Sequence, residues 1–390
     1  MAKALNIPNY SRVALVLQGG GALGSYQAGI VEGLYEVGIH PTWVAGISIG
    51  ALNAAIIAGN APEKRVEKLR EFWETICRPP STAASVMLSA LDMFGPAGAT
   101  MREMAQSASE KMFGSMAAMR AMVEGQHGFF TPRPLAPGSG TPATTSFYET
   151  SAVIQTLERL ADFDRINQSG EMRVSVGATN VKSGNFVYFD NTQMKLKPEH
   201  FLASGALPPG FPAVEIEGEF YWDGGCVSNT PLEYILNTTP HKDTLVFQVD
   251  LWSASGRIPT DVFQIMERMK DIQYSSKTRG VTNSVHALQQ MRQILWDTIE
   301  RIPVAVRKKD PWFDALAKRL YGARYNCIHL IYKNKPTEGH YKDFEFSRET
   351  MNLHWDSGRD DVRRTLENPQ CLELPPPGEN FVTYDVHRDA

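Results

Sequence analysis

The chain has 390 residues, of which 43% are hydrophobic and 21% are charged, and its formal net charge at pH 7 is −4. This length and apolar content predict a globular protein with a sizeable buried core. The slightly acidic balance argues against a nucleic-acid partner. The four cysteines lie far apart, with no pair at zinc-site spacing, so we expect neither a metal site nor a disulfide framework.

The N-terminal residues 1–10 lack the charged start and apolar segment of a signal peptide. The longest apolar run, 44–58, is shorter than the roughly 18 residues that a membrane-crossing helix needs, and it contains Ser48 and Asn53. We therefore expect a cytoplasmic protein.

Two strand–helix units are predicted in the first 60 residues. An apolar strand at 12–18 runs into Gly19-Gly20-Gly21, and residues 25–37 follow with helical spacing of apolar positions. A short strand at 43–45 then leads to the segment Gly46-Ile47-Ser48-Ile49-Gly50 and to an alanine-rich helix. This βαβα order predicts a parallel sheet covered by helices, and therefore an α/β fold.

A helix is predicted at 62–77, and the composition then changes. Eight of the 15 methionines fall between Met87 and Met122. Because methionine adapts to irregular apolar partners, the insertion at about 80–146 is predicted to be helical and to form a lid or the wall of an acyl-chain pocket. A helical hairpin with methionine as core filler remains the alternative.

Further elements complete the α/β domain, which we place at residues 11–255. They are a helix at 149–161 and strands at 172–179, 186–189, 220–222 and 244–251. Beyond it, we predict a helical region from 261 to 301 that breaks near Gly280, one strand at 326–332, and charged helical segments. Residues 261–390 are therefore predicted to form a smaller, mostly helical accessory subdomain.

Ser48 is the central chemical feature of the sequence. A serine on a sharp strand-to-helix turn needs very small residues two positions to either side, and Gly46 and Gly50 stand there. A helix that begins beside Ser48 presents unpaired N–H groups, including that of Ile49, to a developing oxyanion. The amides of residues 19–21 end a neighbouring strand, at the sheet edge where ligands of such folds bind.

A serine hydroxyl needs a base, and Asp223 is the candidate. The two glycines that follow it, Gly224 and Gly225, let the chain turn sharply and bring the carboxylate against another loop. An isolated Asp-Gly pair is more often only a turn.

Three motifs in this order, Gly19 to Gly24, Gly46 to Gly50 and Asp223-Gly224-Gly225, closely resemble those of the patatin-like phospholipases. The passage from Ala203 to Pro208 is similar to the segment that precedes the family's aspartate. The resemblance covers roughly residues 11–255 and implies a three-layer α/β/α core with a mainly parallel sheet. The C-terminal part resembles an extra domain that follows the patatin core in some bacterial proteins.

The resemblance implies a Ser-Asp dyad, with Ser48 as nucleophile and Asp223 as base, and requires no histidine. It implies hydrolysis of carboxylic esters in phospholipids or related acyl esters through an acyl-enzyme, without cofactor or metal. The oxyanion hole would be formed by the amides of Gly19, Gly20, Gly21 and Ile49, and the motifs would be supported by Gly24, Gly46, Gly50, Gly224 and Gly225.

A lipid substrate further implies transient contact with a membrane or lipid droplet, and thus a location peripheral to the membrane. One departure concerns Leu23, because many family members carry Arg or Lys there. Without that cation, the oxyanion would depend on backbone amides and the helix dipole, which predicts lower activity or a different substrate.

Other readings of the same residues stay open. The dyad also suits an acyltransferase, a thioesterase or a non-phospholipid esterase, and a catalytically weak lipid-binding module is a further alternative. Gly19, Gly21 and Gly24 match a dinucleotide-binding fingerprint, but the segment at 46–48 stands where its acidic residue is required. An α/β-hydrolase with a triad is disfavoured because its elbow follows several strands, whereas Ser48 follows one earlier strand.

Overall fold

The computed structural model describes residues 8, 10–77, 114–134, 140–276, 278–320, 323–335, 338–376 and 379–385. Within these ranges the chain builds a nine-stranded sheet and a separate two-stranded ribbon. The strands are β1 (Arg12–Leu17), β2 (Trp43–Gly46), β3 (Thr131–Pro132), β4 (Tyr148–Glu149), β5 (Arg173–Asn180), β6 (Phe186–Asp190), β7 (Val214–Ile216), β8 (Glu219–Asp223), β9 (Thr244–Asp250), β10 (Tyr325–Ile331) and β11 (Phe381–Asp385).

The described helices alternate with the strands in the first part of the chain and dominate its C-terminal third. They are α1 (Ser25–Glu36), α2 (Ile49–Ala58), α3 (Arg65–Ile76), α4 (114–124), α5 (Ser151–Leu160), α6 (Phe163–Ile166), α7 (Pro198–Ser204), α8 (Leu232–Asn237), α9 (Val262–Tyr274), α10 (Thr278–Glu300), α11 (Val304–Arg307), α12 (Pro311–Leu320) and α13 (Arg348–Leu366).

The main sheet is mostly parallel, as predicted. Its order is β11-β10-β9-β1-β2-β5-β8-β7, with β6 also paired to β5. The pairs from β11 through β5 are parallel, and only β6, β7 and β8 run antiparallel to their neighbours. The nearly continuous apolar runs of β1 and β9 follow from this arrangement, because a central strand covered on both faces buries both sets of side chains.

Alternate residues of the strands contribute side chains to two apolar cores, one on each face of the sheet. Leu15 and Leu17 of β1 pack in the larger core with helices α1, α2 and α3. Ala14 and Val16 face the opposite side, where they pack with α8. The sheet therefore lies between two helical layers, which confirms the predicted three-layer α/β/α core.

The C-terminal region is mainly helical, as predicted, and it also extends the main sheet. Strand β10 pairs in parallel with β9, and β11 pairs with β10. Helix α13 packs along α1, where the buried Tyr26 hydroxyl donates a 2.8 Å hydrogen bond to Asp361. The sequence pattern did not reveal β7 or β11, which are short. Division into domains at about residue 255 stays a prediction, since both parts share this sheet.

The methionine-rich insertion is described only in part. Residues 78–113 lie outside the described residues, whereas 114–124 form α4. On this helix Met116 and Met119 are exposed, and Met122 lines a cavity considered below. Of the helices described, none is both long and apolar enough to cross a membrane.

Candidate active site

Ser48 occupies a strained turn between β2 and α2. Its backbone has φ 54° and ψ −124°, a combination that a residue with a side chain rarely adopts. A Cβ on Gly46 would overlap the carbonyl of Gly50, and one on Gly50 would overlap the carbonyl of Leu17. Both glycines of the predicted elbow are thus required by backbone contacts.

Ser204, at the end of α7, holds this turn in place. The Ser48 N–H donates to the Ser204 carbonyl at 3.1 Å and to its Oγ at 3.0 Å. The Ser204 hydroxyl in turn donates to the carbonyl of Gly177 at 2.6 Å. We did not single out Ser204 from the sequence, although the similarity of residues 203–208 to the family's segment was a signal for it.

Strand pairing brings Asp223 to the serine turn. Ala178 and Thr179 of β5 pair with β6 and β8 at the same time, so those two strands lie on opposite sides of β5. Ser175 of β5 pairs with β2 and β6 at once, so β2 also lies opposite β6, and β8 continues along the same side of β5 beyond the end of β2. Gly46 pairs with Val176, and Asp223 pairs with Ala178 two residues further on. This register places Asp223 where the chain leaves β2 towards Ser48.

The carboxyl group of Asp223 is buried, and its residue is only 2% exposed. Burial raises its pKa to about 7, while hydrogen bonds with the Ser48 side chain and the Gly225 N–H oppose this rise. The Gly225 N–H donates to Oδ1 at 2.7 Å. Gly224 packs so closely on β5 that a Cβ there would lie 2.7 Å from the Gly177 carbonyl.

The glycine loop passes next to Ser48. A Cβ added to Gly19 would lie 3.0 Å from the Ser48 Cβ. The Gly19 carbonyl accepts hydrogen bonds from Trp252 Nε1 at 2.8 Å and Asn229 Nδ2 at 3.0 Å. The N–H of Gly19 donates to the Asn229 carbonyl at 3.4 Å. Neither partner was foreseen, because no local sequence pattern marks Asn229 or Trp252.

The backbone N–H groups predicted to form the oxyanion hole differ in whether they already donate a hydrogen bond. The Gly19 N–H is engaged, as described above. Among the described residues, none accepts a hydrogen bond from the N–H groups of Gly20, Gly21 or Ile49. These three amides are therefore the donors that an oxyanion near Ser48 would find available.

Gly24 and Leu23 connect this loop to the core. A Cβ on Gly24 would lie 2.6 Å from Ile49 Cγ1, so a glycine lets the loop and the start of α2 pack together. The buried Asn53 of α2 donates to the Gly24 carbonyl at 2.9 Å. Leu23 is fully buried in the larger apolar core. A cation at position 23 would here be surrounded by apolar side chains.

A cavity of about 500 Å³ opens beside Ser48, Asp223 and residues 19–21. Most of its remaining lining is apolar and includes an aromatic wall whose rings pack edge to face or tilted, with centroids 4.9–6.4 Å apart. No histidine belongs to the described lining. The wall consists of Phe129, Phe130, Tyr148, Phe211 and Phe346.

The C-terminal region contributes directly to this cavity, which we did not predict. Tyr274, Asp343, Phe344 and Phe346 line it together with residues from before position 255. These four residues are far in sequence from the glycine loop and from the serine turn, so only the tertiary fold brings them to the cavity. The described residues contain no group of three or more His, Cys, Asp or Glu that could hold a metal ion.

A family model described as "Patatin-like phospholipase" matches residues 15–236, which is more than half of the chain. The chain belongs to the patatin-like phospholipase family. A second model, described as "Patatin phospholipase", matches residues 272–378 of this patatin-like chain. It thus covers most of the region that we predicted as an accessory subdomain.

Two curated proteins of Pyricularia oryzae, from strains 70-15 and Y34, are similar to part of this patatin-like chain. Both are patatin-like phospholipase domain-containing proteins, 38% identical over 77 residues. That segment is 19% of this chain and only 10% of each relative.

Three solved structures are similar at low sequence identity. VipD from Legionella pneumophila is 14% identical over 98% of this chain and 75% of that chain, with a TM-score of 0.39. The human GIVD cytosolic phospholipase A2 is 13% identical over 60% and 42%, with a TM-score of 0.31. The type III effector ExoU is 14% identical over 95% and 55%, with a TM-score of 0.31.

Proposed function

We propose that this patatin-like protein is a lipid acyl hydrolase that cleaves carboxylic esters through a Ser48–Asp223 dyad. One observation carries the proposal: a serine on a strained turn at a helix N-terminus lies beside a buried carboxylate, at the wall of an apolar cavity. Membership of the patatin-like family supports the same reaction class.

In the first step, the ionised Asp223 accepts the proton of the Ser48 hydroxyl as Oγ attacks the ester carbonyl. With its pKa raised to about 7, Asp223 is a stronger base than an exposed aspartate, yet it is still substantially ionised at neutral pH. The negative charge that develops on the carbonyl oxygen is stabilised by the N–H groups of Gly20, Gly21 and Ile49 and by the N-terminal end of α2.

In the second step, the tetrahedral intermediate collapses and the protonated Asp223 returns its proton to the leaving alcohol. The acyl group then remains on Ser48. Water attacks this acyl-enzyme with Asp223 again as base, and a free fatty acid leaves. All charge stabilisation comes from backbone donors in this scheme, because position 23 of the glycine loop holds a buried leucine and not a cation.

The cavity suits the acyl chain, since its aromatic wall offers apolar contact and few polar groups. Two apolar residues that line it, Met122 and Phe147, are 48% and 55% exposed. We therefore place the acyl chain in the cavity and propose that the exposed apolar residues beside it contact a membrane or lipid droplet during substrate entry.

The direct test combines a fluorophosphonate probe with an ester panel, applied to the wild type, Ser48→Ala and Asp223→Asn. We expect the wild type to be labelled and to hydrolyse acyl esters, and Ser48→Ala to do neither. A serine of α13 that does not line the cavity, Ser357, supplies the control variant Ser357→Ala, which should keep both properties.

Two outcomes would contradict parts of the proposal. A folded wild type that takes no label and cleaves no ester would exclude the hydrolase and favour a lipid-binding module. Full activity in Asp223→Asn would exclude the Ser48–Asp223 dyad but would leave the assignment as a serine hydrolase intact. Thioesters and an added acceptor alcohol in the panel identify a thioesterase or an acyltransferase by product analysis.

A further inference from the structure

The loop that precedes α13 is bonded directly to the glycine loop. The Ala22 N–H donates to the carbonyl of Asp343 at 2.9 Å. Gly21 has φ +56°, and a Cβ there would overlap that same carbonyl. Asp343, which lies 321 positions after Ala22, thus fixes the backbone that carries the available amides of Gly20 and Gly21.

An ion pair orients Asp343 for this contact. Lys270 of α9 donates to both carboxylate oxygens of Asp343, at 2.7 and 2.9 Å, and to the carbonyl of His340 at 3.0 Å. The two charged side chains are 25% and 21% exposed, so water screens their attraction only in part. The pair therefore ties the loop at 340–343 to α9.

A neighbouring lysine strengthens the same connection. Lys342 is 1% exposed and donates to Asp271 of α9 at 2.6 Å and to Asn334 at 2.8 Å. Its Nζ lies 5.0 Å from the centre of the Trp252 ring, and Trp252 bonds the Gly19 carbonyl.

The end of α9 also holds the start of the glycine loop. The carbonyl of Tyr274 accepts hydrogen bonds from Gln18 Nε2 at 3.0 Å and Asn229 Nδ2 at 2.9 Å. Asn229 is the residue that bonds Gly19. Helix α9 is therefore connected to both ends of residues 18–22, directly at one end and through Asp343 at the other.

We propose that the Lys270–Asp343 ion pair is a positioning element of the oxyanion hole, which keeps the Asp343 carbonyl on Ala22 and so fixes the Gly20 and Gly21 amides for the tetrahedral intermediate. The inference rests on the proposed hydrolase function. Its physical basis is preorganisation, because oxyanion donors act only when they are already aimed at the developing charge. It also gives the C-terminal region a role in the chemical step, in addition to the part of the cavity wall that it supplies.

The test compares Asp343→Asn and Lys270→Met with a matched control in the full-length chain. Asp243 pairs with Arg324 at the opposite end of β9 and β10, and its partners are similarly exposed, at 18% and 28%. Asp243→Asn therefore removes an equivalent ion pair from the same region without touching the glycine loop. Lys270→Arg keeps the charge and is the rescue variant.

We expect kcat of Asp343→Asn and Lys270→Met to fall at least about tenfold with KM within about twofold, because a misplaced donor weakens only the transition state. Affinity for an alkyl trifluoromethyl ketone, whose adduct places an oxyanion in the hole, should fall in parallel. Asp243→Asn should keep wild-type kcat and ketone affinity, and Lys270→Arg should restore most of both.

Hydrogen exchange of the peptide covering residues 18–24 provides a readout that needs no activity. It should become faster in Asp343→Asn and Lys270→Met and stay unchanged in Asp243→Asn. An inactive wild type would refute the proposed function. Hydrogen exchange would still decide whether the Lys270–Asp343 ion pair holds the glycine loop. Unchanged kcat and exchange in both pair variants, or equal losses in Asp243→Asn, would overturn the positioning role.

Discussion

Two loops meet at the candidate site, and different parts of the chain hold them. The serine turn is fixed from within the first 255 residues, by Ser204 and by the backbone of Leu17 and Gly177. The glycine loop is held from both parts, by Asn229 and Trp252 before residue 255 and by Asp343 and the end of α9 beyond it. The serine turn thus depends on contacts within the first 255 residues, whereas the backbone that carries the oxyanion donors also depends on the C-terminal region.

The largest effect that separates these roles is expected from Asp223→Asn. The amide keeps the shape of the side chain but cannot accept the Ser48 proton, so kcat/KM should fall by about 10³–10⁴-fold. Steady-state ester hydrolysis measures the loss. A decrease smaller than that of the loop variants would show that proton transfer is not the role of this carboxylate.

The pH dependence tests the same group without a substitution. Because the pKa of Asp223 is raised to about 7, its basic form disappears below that pH, and kcat/KM should fall roughly tenfold per pH unit below 7. A pH profile of ester hydrolysis gives the midpoint. An acid limb centred near pH 4 would mean that burial does not raise the pKa of the working base.

Stability should change with pH in the opposite direction. The folded protein favours the protonated Asp223, so this group's contribution is present at about pH 4 and is lost as pH rises through 7. The loss amounts to a few kcal/mol, at about 1.4 kcal/mol per pKa unit. Asp223→Asn should therefore gain more in thermal midpoint over wild type at pH 8 than at pH 4, and equal gains would contradict this linkage.

Ser204→Ala tests the contacts that hold the serine turn. The substitution removes the hydroxyl bonds to Ser48 and Gly177 and leaves a buried carbonyl without its donor, which costs about 1–3 kcal/mol of unfolding free energy. We expect a lower thermal midpoint together with a roughly tenfold loss of kcat. Unlike Asp343→Asn, this variant should leave hydrogen exchange of residues 18–24 unchanged, and faster exchange there would mean that the two loops are coupled.

The smallest effect is expected from the aromatic wall. Phe211→Leu changes the part of the apolar lining that comes from the first 255 residues, and Phe346→Leu changes the part from the C-terminal region. Each should lower the preference for long over short acyl esters by only a few-fold, because the change in apolar contact is worth about 1 kcal/mol. Kinetics with esters of increasing chain length measure it, and an effect confined to Phe211 would exclude the C-terminal wall from acyl binding.

Local sequence patterns were sufficient for much of the fold. The apolar run of β1, the helical spacing of α1 and the glycines around Ser48 each act over a few residues, and the structure confirms the elements they predict. The parallel sheet followed because successive strand–helix units with short connections leave few topologies. Gly46 was predictable for the same reason, since a Cβ there would meet the carbonyl of Gly50 in the same turn, whereas the constraint on Gly50 comes from Leu17 of β1.

Tertiary structure alone decided what surrounds these motifs. Ser204, Asn229 and Asp343 act through hydrogen bonds to residues more than 150 positions away, and no periodicity encodes such distances. The aromatic wall gathers rings from separate segments for the same reason. Sequence determined which residues carry the chemistry, whereas long-range packing decided which backbone groups remain available to it and which region holds them.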